Sequence, residues 1–161
     1  MTSKIKSKYL IATVFLLLFV CVGGFLSSVF FEWRESNLVC DTNLVVDREN
    51  KSLSVAISYF IKGASGIAVL KGNLKTQNKD YSVSRRSYFT LKKEQGLVHV
   101  KSTLSTTTPA DSAPLSELEK LLPQFYLKSD KNMDFKIYYQ GFNGYIFSTG
   151  YVPSFYCKRV N

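Results

Sequence analysis

A chain of 161 residues has room for one domain of ordinary size and little else. Its 45% hydrophobic and 14% aromatic residues exclude a disordered chain, because that much apolar surface can offset the entropy lost when the backbone is ordered. The formal net charge of +9 favours an acidic partner such as nucleic acid, provided that the chain and the partner share a compartment.

The first predicted element is a membrane-spanning helix over residues 9–31. This stretch contains no charged side chain, and about 20 apolar residues are enough to cross the ~30 Å hydrocarbon layer as a helix. A helix on the surface of a soluble protein would show polar residues every three or four positions. Three lysines precede the stretch, at Lys4, Lys6 and Lys8. The positive-inside rule then predicts a cytoplasmic basic tail over 1–8 and a periplasmic domain over 32–161.

These elements predict a single-pass protein of the bacterial inner membrane, with the lipid bilayer around its helix, its N-terminus in the cytoplasm and its C-terminus in the periplasm. The alternative is a cleaved secretory signal, for which Val22-Gly23-Gly24 offers a cut site. The apolar run continues to Phe31, beyond the roughly 7 to 15 residues of a signal, so we favour the uncleaved anchor. This topology excludes nucleic acid as a partner.

Beyond the apolar stretch, hydrophobic and polar residues alternate, which is the period-2 pattern of half-buried strands. The clearest case covers 53–61, where Leu53, Val55 and Ile57 share one face and Ser54 lies on the other. The other predicted strands are 38–46, 66–76, 81–91, 97–104, 135–140 and 145–149. Short breaks separate the strands, so we expect antiparallel hairpins between neighbours. The predicted fold class is mainly β, as a small antiparallel sheet or barrel-like domain with one short α-helix.

Three local predictions concern the second half of the chain. A helix is predicted over 113–122, with leucines at i, i+3 and i+7 and with Pro123 ending it. The Ser/Thr/Ala/Pro-rich segment 102–114 is predicted to be an exposed, mobile connector. Asn143-Gly144 predicts a type I′ turn between the last two strands, because both residues tolerate positive φ.

Two of the three cysteines bracket the predicted outer domain. Cys40 lies near its start and Cys157 near its end, whereas Cys21 lies in the apolar stretch. An oxidising compartment favours a disulfide between Cys40 and Cys157 over two unrelated buried thiols. Such a bridge would close a loop over most of the domain and add roughly 4 to 5 kcal/mol of stability in the chain-entropy model.

The sequence carries few signs of catalysis. His99 is the one histidine, and a single imidazole forms neither a triad nor a zinc site by itself. On an alternating strand it lies on the same side as Leu97 and Lys101. No metal-binding, nucleophile or phosphate-loop motif occurs, and the carboxylates are scattered. We therefore expect no enzymatic activity, no metal and no cofactor.

Aromatic residues are concentrated near the C-terminus. Tyrosine and phenylalanine bury large areas, and tyrosine keeps a hydroxyl for water or a partner. Two interpretations stay open: a small β core next to Cys157, or an aromatic surface or cavity that binds a partner domain or an apolar ligand. The residues predicted for such a surface are Tyr138, Phe142, Tyr145, Phe147 and Tyr151.

This layout resembles that of a known family. The basic tail, the single span, the β-rich outer domain, the cysteine soon after the span and the closing Pro153-Ser154-Phe155-Tyr156-Cys157 are similar to the FidL-like membrane proteins of enterobacteria. The resemblance implies, as partner, a membrane-bound transcriptional activator whose winged-helix domain faces the cytoplasm. A more distant likeness is to ToxS-like partners, whose outer domains associate with the outer domain of such a regulator, and some of these pairs form a barrel that admits bile salts. Neither family brings catalytic residues.

The function expected from these features is that of a non-enzymatic inner-membrane accessory protein. Its periplasmic domain would bind and stabilise a membrane-bound transcriptional regulator, or sense an apolar signal together with it, through edge-strand pairing and aromatic contact. The alternative is a free-standing periplasmic domain that binds lipid or another apolar small molecule.

Overall fold

The structure is a computed structural model that describes residues 13–29, 37–141, 143–149 and 152–160, with the side chains of residues 152 and 153 left out. The chain divides into two compact units, residues 1–36 and residues 37–161. Each unit is described by itself below.

The first unit contains a helix, α1, over residues 13–29. The hydroxyls of Ser27 and Ser28 donate hydrogen bonds to backbone carbonyls one turn earlier in this helix. Among the described residues, no helix combines the length and the apolar character that crossing a membrane requires. The prediction of a single-pass inner-membrane protein is therefore wrong, and the predicted tail over 1–8 lies outside the described residues.

The second unit is a closed antiparallel barrel in which each strand pairs with its neighbours in the sequence. Its strands are β1 (Asn37–Arg48), β2 (Lys51–Lys62), β3 (Ser65–Lys75), β4 (Asp80–Glu94), β5 (Leu97–Thr107), β6 (Asn132–Gln140), β7 (Gly144–Thr149) and β8 (Val152–Arg159). This architecture confirms the predicted mainly β fold with antiparallel hairpins. All seven predicted strands are present, and several extend by a few residues beyond their predicted ends.

The alternation of residue types decides which side chains point into the barrel. In β2, Leu53, Val55, Ile57 and Tyr59 are buried, and Ser54 between them is exposed. Burial of such side chains contributes on the order of 1.5 to 3 kcal/mol each, which fixes the register against a one-residue slip. The strand predicted over 53–61 therefore faces the core as expected.

The C-terminal strand β8 was not predicted. Residues 152–159 pair with β7 from Thr149 opposite Val152 to Gly144 opposite Lys158. Pro153 lies where the register of this pairing shifts, so its missing N–H is tolerated. The type I′ turn predicted at Asn143-Gly144 is wrong. Gly144 is already the first residue of β7 and pairs with Gln140.

A segment between β5 and β6 fills the barrel interior. It comprises a short helix, α2 (Leu115–Leu118), and a 3-10 turn (Gln124–Tyr126), and we call residues 113–127 the plug. The predicted helix over 113–122 is thus shorter than expected, because the chain turns after Leu118 to bury a series of apolar side chains. The buried plug residues are Ala113, Leu118, Leu121, Leu122, Phe125, Tyr126 and Leu127.

Polar contacts hold the plug and the residues just before it. The Ser87 hydroxyl donates to the Phe125 carbonyl at 2.9 Å, and the hydroxyls of Tyr59 and Tyr126 form a buried hydrogen bond. Before the plug, the Arg85 guanidinium binds both carboxylate oxygens of Asp111 at 3.0 and 2.9 Å. The connector predicted to be exposed and mobile over 102–114 is therefore anchored at Asp111, and its first residues extend β5.

The ends of the barrel domain are joined by a disulfide between Cys40 in β1 and Cys157 in β8. The two Cα atoms lie 5.4 Å apart, and both residues are fully buried. The bond closes a loop with a sequence separation of 117 residues. The predicted pairing is confirmed, and Cys21 is the free cysteine.

Candidate functional site

The interior of the barrel is packed with aromatic side chains. Tyr59 stacks on Phe147 with ring centroids 5.3 Å apart, and Phe147 stacks on Phe155 at 4.9 Å. Phe125 of the plug contacts the Phe89 ring at 5.4 Å. The cavity among these rings measures about 10 Å³, room for one water molecule at most. An apolar ligand could not enter this interior without displacing the plug.

The five aromatic residues predicted for a binding surface are separated by the fold. Tyr145 and Phe147 are 2% and 1% exposed and belong to the core, so their assignment to a surface is wrong. They occupy alternate positions of β7, and both point inward because the strand has a period of two. Tyr138 is exposed on the outside of the barrel. Phe142 and Tyr151 lie outside the described residues.

Tyr138 belongs to a short row of outward-facing apolar residues. It lies opposite Ile146 of β7, which in turn lies opposite Tyr156 of β8. Tyr138 and Tyr156 are 51% and 46% exposed. These three residues, which we call the aromatic row, lead across the outer face to β8.

The pairing between β1 and β8 is short. Among the described residues it consists of Cys40 opposite Arg159 and Asp41 opposite Lys158, and the Val160 N–H donates to the Val39 carbonyl at 3.2 Å. Beyond these pairs, residues 42–48 of β1 pair with β2 alone and residues 152–156 of β8 pair with β7 alone. We call these two facing segments the open seam.

Backbone groups of β1 point into the open seam at odd-numbered positions. In an antiparallel strand, the N–H and C=O of one residue point to the same neighbouring strand, and the direction alternates along the chain. Because the Val39 carbonyl accepts from β8, the groups of Asn43, Val45 and Asp47 point to the same side. The ladder between β1 and β8, as far as the structure describes it, does not extend to these three residues.

A second apolar feature lies on the outer face of β1 to β5. Val39, Phe60, Ile67, Tyr88 and Leu104 are successive cross-strand partners, one from each strand. We call these five residues the apolar row. The members on β1 to β4 line a groove of about 690 Å³ on the outside of the barrel. The aromatic pattern near the C-terminus did not reveal this row, but apolar residues at the outward positions of five strands could have revealed it.

The charged residues around the apolar row are mainly basic. Lys62 and Arg159 line the groove, and no carboxylate does so among the described residues. Lys101, further along the same border, contacts Asp130 at 2.7 Å, and its hydrogen bond holds the pKa of Asp130 below its usual range. Lys101 is therefore paired with a carboxylate, whereas Lys62 is exposed.

Polar pairs elsewhere divide into buried and exposed ones. Burial raises the pKa of Tyr126 to about 12 and raises the pKa of Tyr59 well above its usual value. His99 lies on the predicted side of β5, and its Nδ1 lies 2.7 Å from an Asp134 oxygen, with both side chains exposed. Within the described ranges, no three His, Cys, Asp or Glu side chains come together as a metal site would require. The absence of enzymatic activity stays a prediction.

The fold and its surfaces define a small, disulfide-closed β-barrel domain with a filled interior. Residues 37–157 match the YqeJ C-terminal domain family, and the chain belongs to this family. A relative from Escherichia coli strain K12, named uncharacterized protein YqeJ, is 23% identical over 152 residues, which cover 89% of this chain and 95% of the relative. No solved structure gives a significant match. The expected kinship with an enterobacterial protein is therefore confirmed, but the matching family is not the FidL-like one.

Proposed function

We propose that the barrel is a non-enzymatic module that binds another protein by strand addition at the open seam. The observation that carries this proposal is the two-pair ladder between β1 and β8, beyond which Asn43, Val45 and Asp47 point backbone groups away from β2. Unpaired donors and acceptors along an edge offer main-chain hydrogen bonds to an added strand.

Side chains beside the open seam support the same proposal. Tyr156 of the aromatic row lies within the β8 segment of the seam, and Val45 in the β1 segment is 61% exposed. A strand added along either edge would place its side chains next to one of these residues. Tyrosine suits such a contact, because it offers a large rigid area and a hydroxyl.

The disulfide gives the seam a fixed end. Cys40 and Cys157 cross-link β1 and β8 at the same place as the two residue pairs of the β1–β8 ladder. An added strand could therefore separate the two edges only beyond this point. A partner would then bind beside the strand edges beyond the disulfide without opening the barrel as a whole.

The first partner to test is the outer domain of a membrane-bound transcriptional activator. This choice rests on the resemblance to FidL-like proteins and on the more distant likeness to ToxS-like partners. The role proposed for the chain is to stabilise that regulator domain. The alternative of an apolar-ligand-binding domain has little support from the interior, which is filled by the plug.

The test is a Val45→Pro variant of the full chain, with Val45→Thr as matched control. Proline removes the N–H that points into the seam and leaves the β1–β2 hydrogen bonds intact, whereas threonine keeps the N–H and the branched shape. We expect the wild type and Val45→Thr to co-purify with the regulator's outer domain and Val45→Pro to lose at least tenfold in affinity. Thermal unfolding of Val45→Pro checks that the barrel is intact.

Hydrogen exchange provides a second readout of the same complex. Binding should slow exchange at the amides of Asn43, Val45 and Asp47, because a ladder would protect these groups. Equal binding by Val45→Pro and wild type would exclude strand addition at β1. Failure of the wild type to associate, both in detergent and in cross-linked cells, would remove this regulator class as the partner.

A further inference from the structure

We infer that the apolar row is a second protein-docking surface, and that its occupant is an amphipathic α-helix of a partner protein with acidic residues along its borders. The inference rests on a different face of the barrel from the open seam. It concerns β1 to β5, whereas the seam lies between β1 and β8. The two proposals can therefore fail independently.

The apolar row is continuous across the sheet. Each member lies directly opposite the next in the pairing register: Val39 faces Phe60, Phe60 faces Ile67, Ile67 faces Tyr88, and Tyr88 faces Leu104. Side chains at such opposite positions are about 5 Å apart and form one surface. Phe60 is 47% and Leu104 51% exposed, so the row keeps much of its apolar area in contact with solvent.

The apolar residues of this row occupy outward positions of the barrel strands, where polar residues are more usual. Several other outward positions of the same strands carry polar side chains, such as Ser54 in β2 and Arg86 in β4. An apolar residue at the same level of five consecutive strands extends the exposed apolar area well beyond isolated surface residues. Val160, whose N–H binds the Val39 carbonyl, extends the groove across β1 to the chain segment that follows β8.

The direction and length of the row suit a helix. Neighbouring strands are about 4.8 Å apart, so the four row members that line the groove span roughly 14 Å across the strands. A helix presents one apolar residue per turn of 5.4 Å along its face, and two and a half to three turns cover this distance. An added strand would need free backbone groups, which Phe60, Ile67 and Tyr88 lack because β2, β3 and β4 are paired on both sides.

The charges around the row favour an acidic partner. On the border near the β2–β3 turn, Lys62 is exposed and has Ser65 as its cross-strand neighbour. On the opposite border Arg86 is exposed on β4, and Asp41 at the β1 end lies opposite Lys158. Glutamates flanking the apolar face of a helix would therefore meet Lys62 on one border and Arg86 on the other. Such complementarity selects among partners and speeds association.

Two synthetic helical peptides of 14 residues provide the probe. Both carry the same leucine face at i, i+4, i+7 and i+11, but glutamates border the face in one and lysines in the other. Binding to the full chain is measured by fluorescence anisotropy at 0.05 and 0.15 M salt. We expect the glutamate peptide to bind at least tenfold more tightly than the lysine peptide, with a smaller difference at the higher salt concentration.

Variants of the chain test whether the glutamate peptide binds at the apolar row. Phe60→Asp should weaken binding of the glutamate peptide at least tenfold, because it puts a carboxylate at the centre of the apolar face. Lys62→Glu should weaken it severalfold. Leu115→Asp is the matched control, since Leu115 is an exposed apolar residue outside both the apolar row and the open seam, and it should bind like wild type. Phe60→Ser serves as a second variant if Phe60→Asp fails to fold.

Four outcomes would overturn the inference. The two peptides could bind equally, or Phe60→Asp and Phe60→Ser could bind like wild type, or the glutamate peptide could fail to bind. In the fourth outcome, the wild type self-associates in sedimentation or binds a fluorescent fatty acid, and Phe60→Asp does neither but still binds the peptide like wild type. The occupant would then be a second copy of the chain or an apolar small molecule. If Val45→Pro binds the peptide like wild type, the peptide binds at a surface other than the open seam.

Discussion

The buried ion pair between Arg85 and Asp111 offers the sharpest test of how the segment before the plug is held. We predict that Asp111→Ala lowers the free energy of unfolding by about 3 to 5 kcal/mol, because it leaves a buried guanidinium without its counter-ion. The side chains of Arg85 and Asp111 are only 6% and 4% exposed. Water cannot replace the carboxylate there without a local rearrangement of the segment.

The magnitude follows from the contacts that Asp111 makes. Its carboxylate accepts hydrogen bonds from two guanidinium nitrogens of Arg85 and from the Ser84 N–H at 2.8 Å. After the substitution, Arg85 keeps the Ala113 carbonyl at 2.8 Å as an acceptor. Three charge-assisted hydrogen bonds are lost at once, and each is typically stronger than a neutral one.

Urea unfolding of the full chain, followed by tyrosine fluorescence, measures this loss. Asp134→Ala is the control, because it removes an exposed carboxylate from the His99 pair and should cost less than about 1 kcal/mol. The double variant Arg85→Met/Asp111→Leu should recover most of the stability, since apolar side chains can replace a buried pair. A loss below about 1 kcal/mol for Asp111→Ala, with an unchanged m-value, would refute the reasoning.

Two further predictions concern stability. Replacing both Cys40 and Cys157 by serine should cost roughly 4 to 5 kcal/mol, read from chemical unfolding under oxidising conditions, because the unfolded chain loses a large closed loop; a cost below about 1 kcal/mol would contradict this. Because burial raises the folded-state pKa of Tyr126 to about 12, its stabilising contribution is full below pH 10 and is lost between about pH 10 and 12. Melting temperatures across this pH window should fall more steeply for wild type than for Tyr126→Phe. Equal slopes of melting temperature against pH would refute this prediction.

Much of the barrel could be predicted from residue alternation. In β2 the period-2 pattern assigned Leu53, Val55 and Ile57 to one face, and these side chains are buried together. The disulfide was predicted from the positions of Cys40 and Cys157 in the chain together with an expected oxidising compartment. These features are local or depend on residue type, so a single sequence can carry them.

Features that depend on three-dimensional closure could not be predicted. Tyr145 and Phe147 share one face of β7, but only the closed sheet decides that this face is the inner one. The helix predicted over 113–122 has leucine spacing typical of a helix, yet the chain leaves the helix after Leu118 because the barrel interior must be filled. The apolar stretch over 9–31 predicted a membrane span on length and composition, and the described helix does not bear this out.

The two shortest ladders of the barrel are those between β5 and β6 and between β1 and β8. The plug enters the interior between β5 and β6, where the strands share only four pairs, from Val98 opposite Phe135 to Lys101 opposite Asn132. The β1–β8 ladder is shorter still, with two pairs beside the disulfide. A barrel that must hold a helical segment has to widen somewhere, and widening at the junction of the two chain ends breaks the fewest hydrogen bonds. Additional pairing between β1 and β8 along the open seam should therefore require a smaller plug. In this way the filled interior is linked to the edge that is proposed to bind a partner.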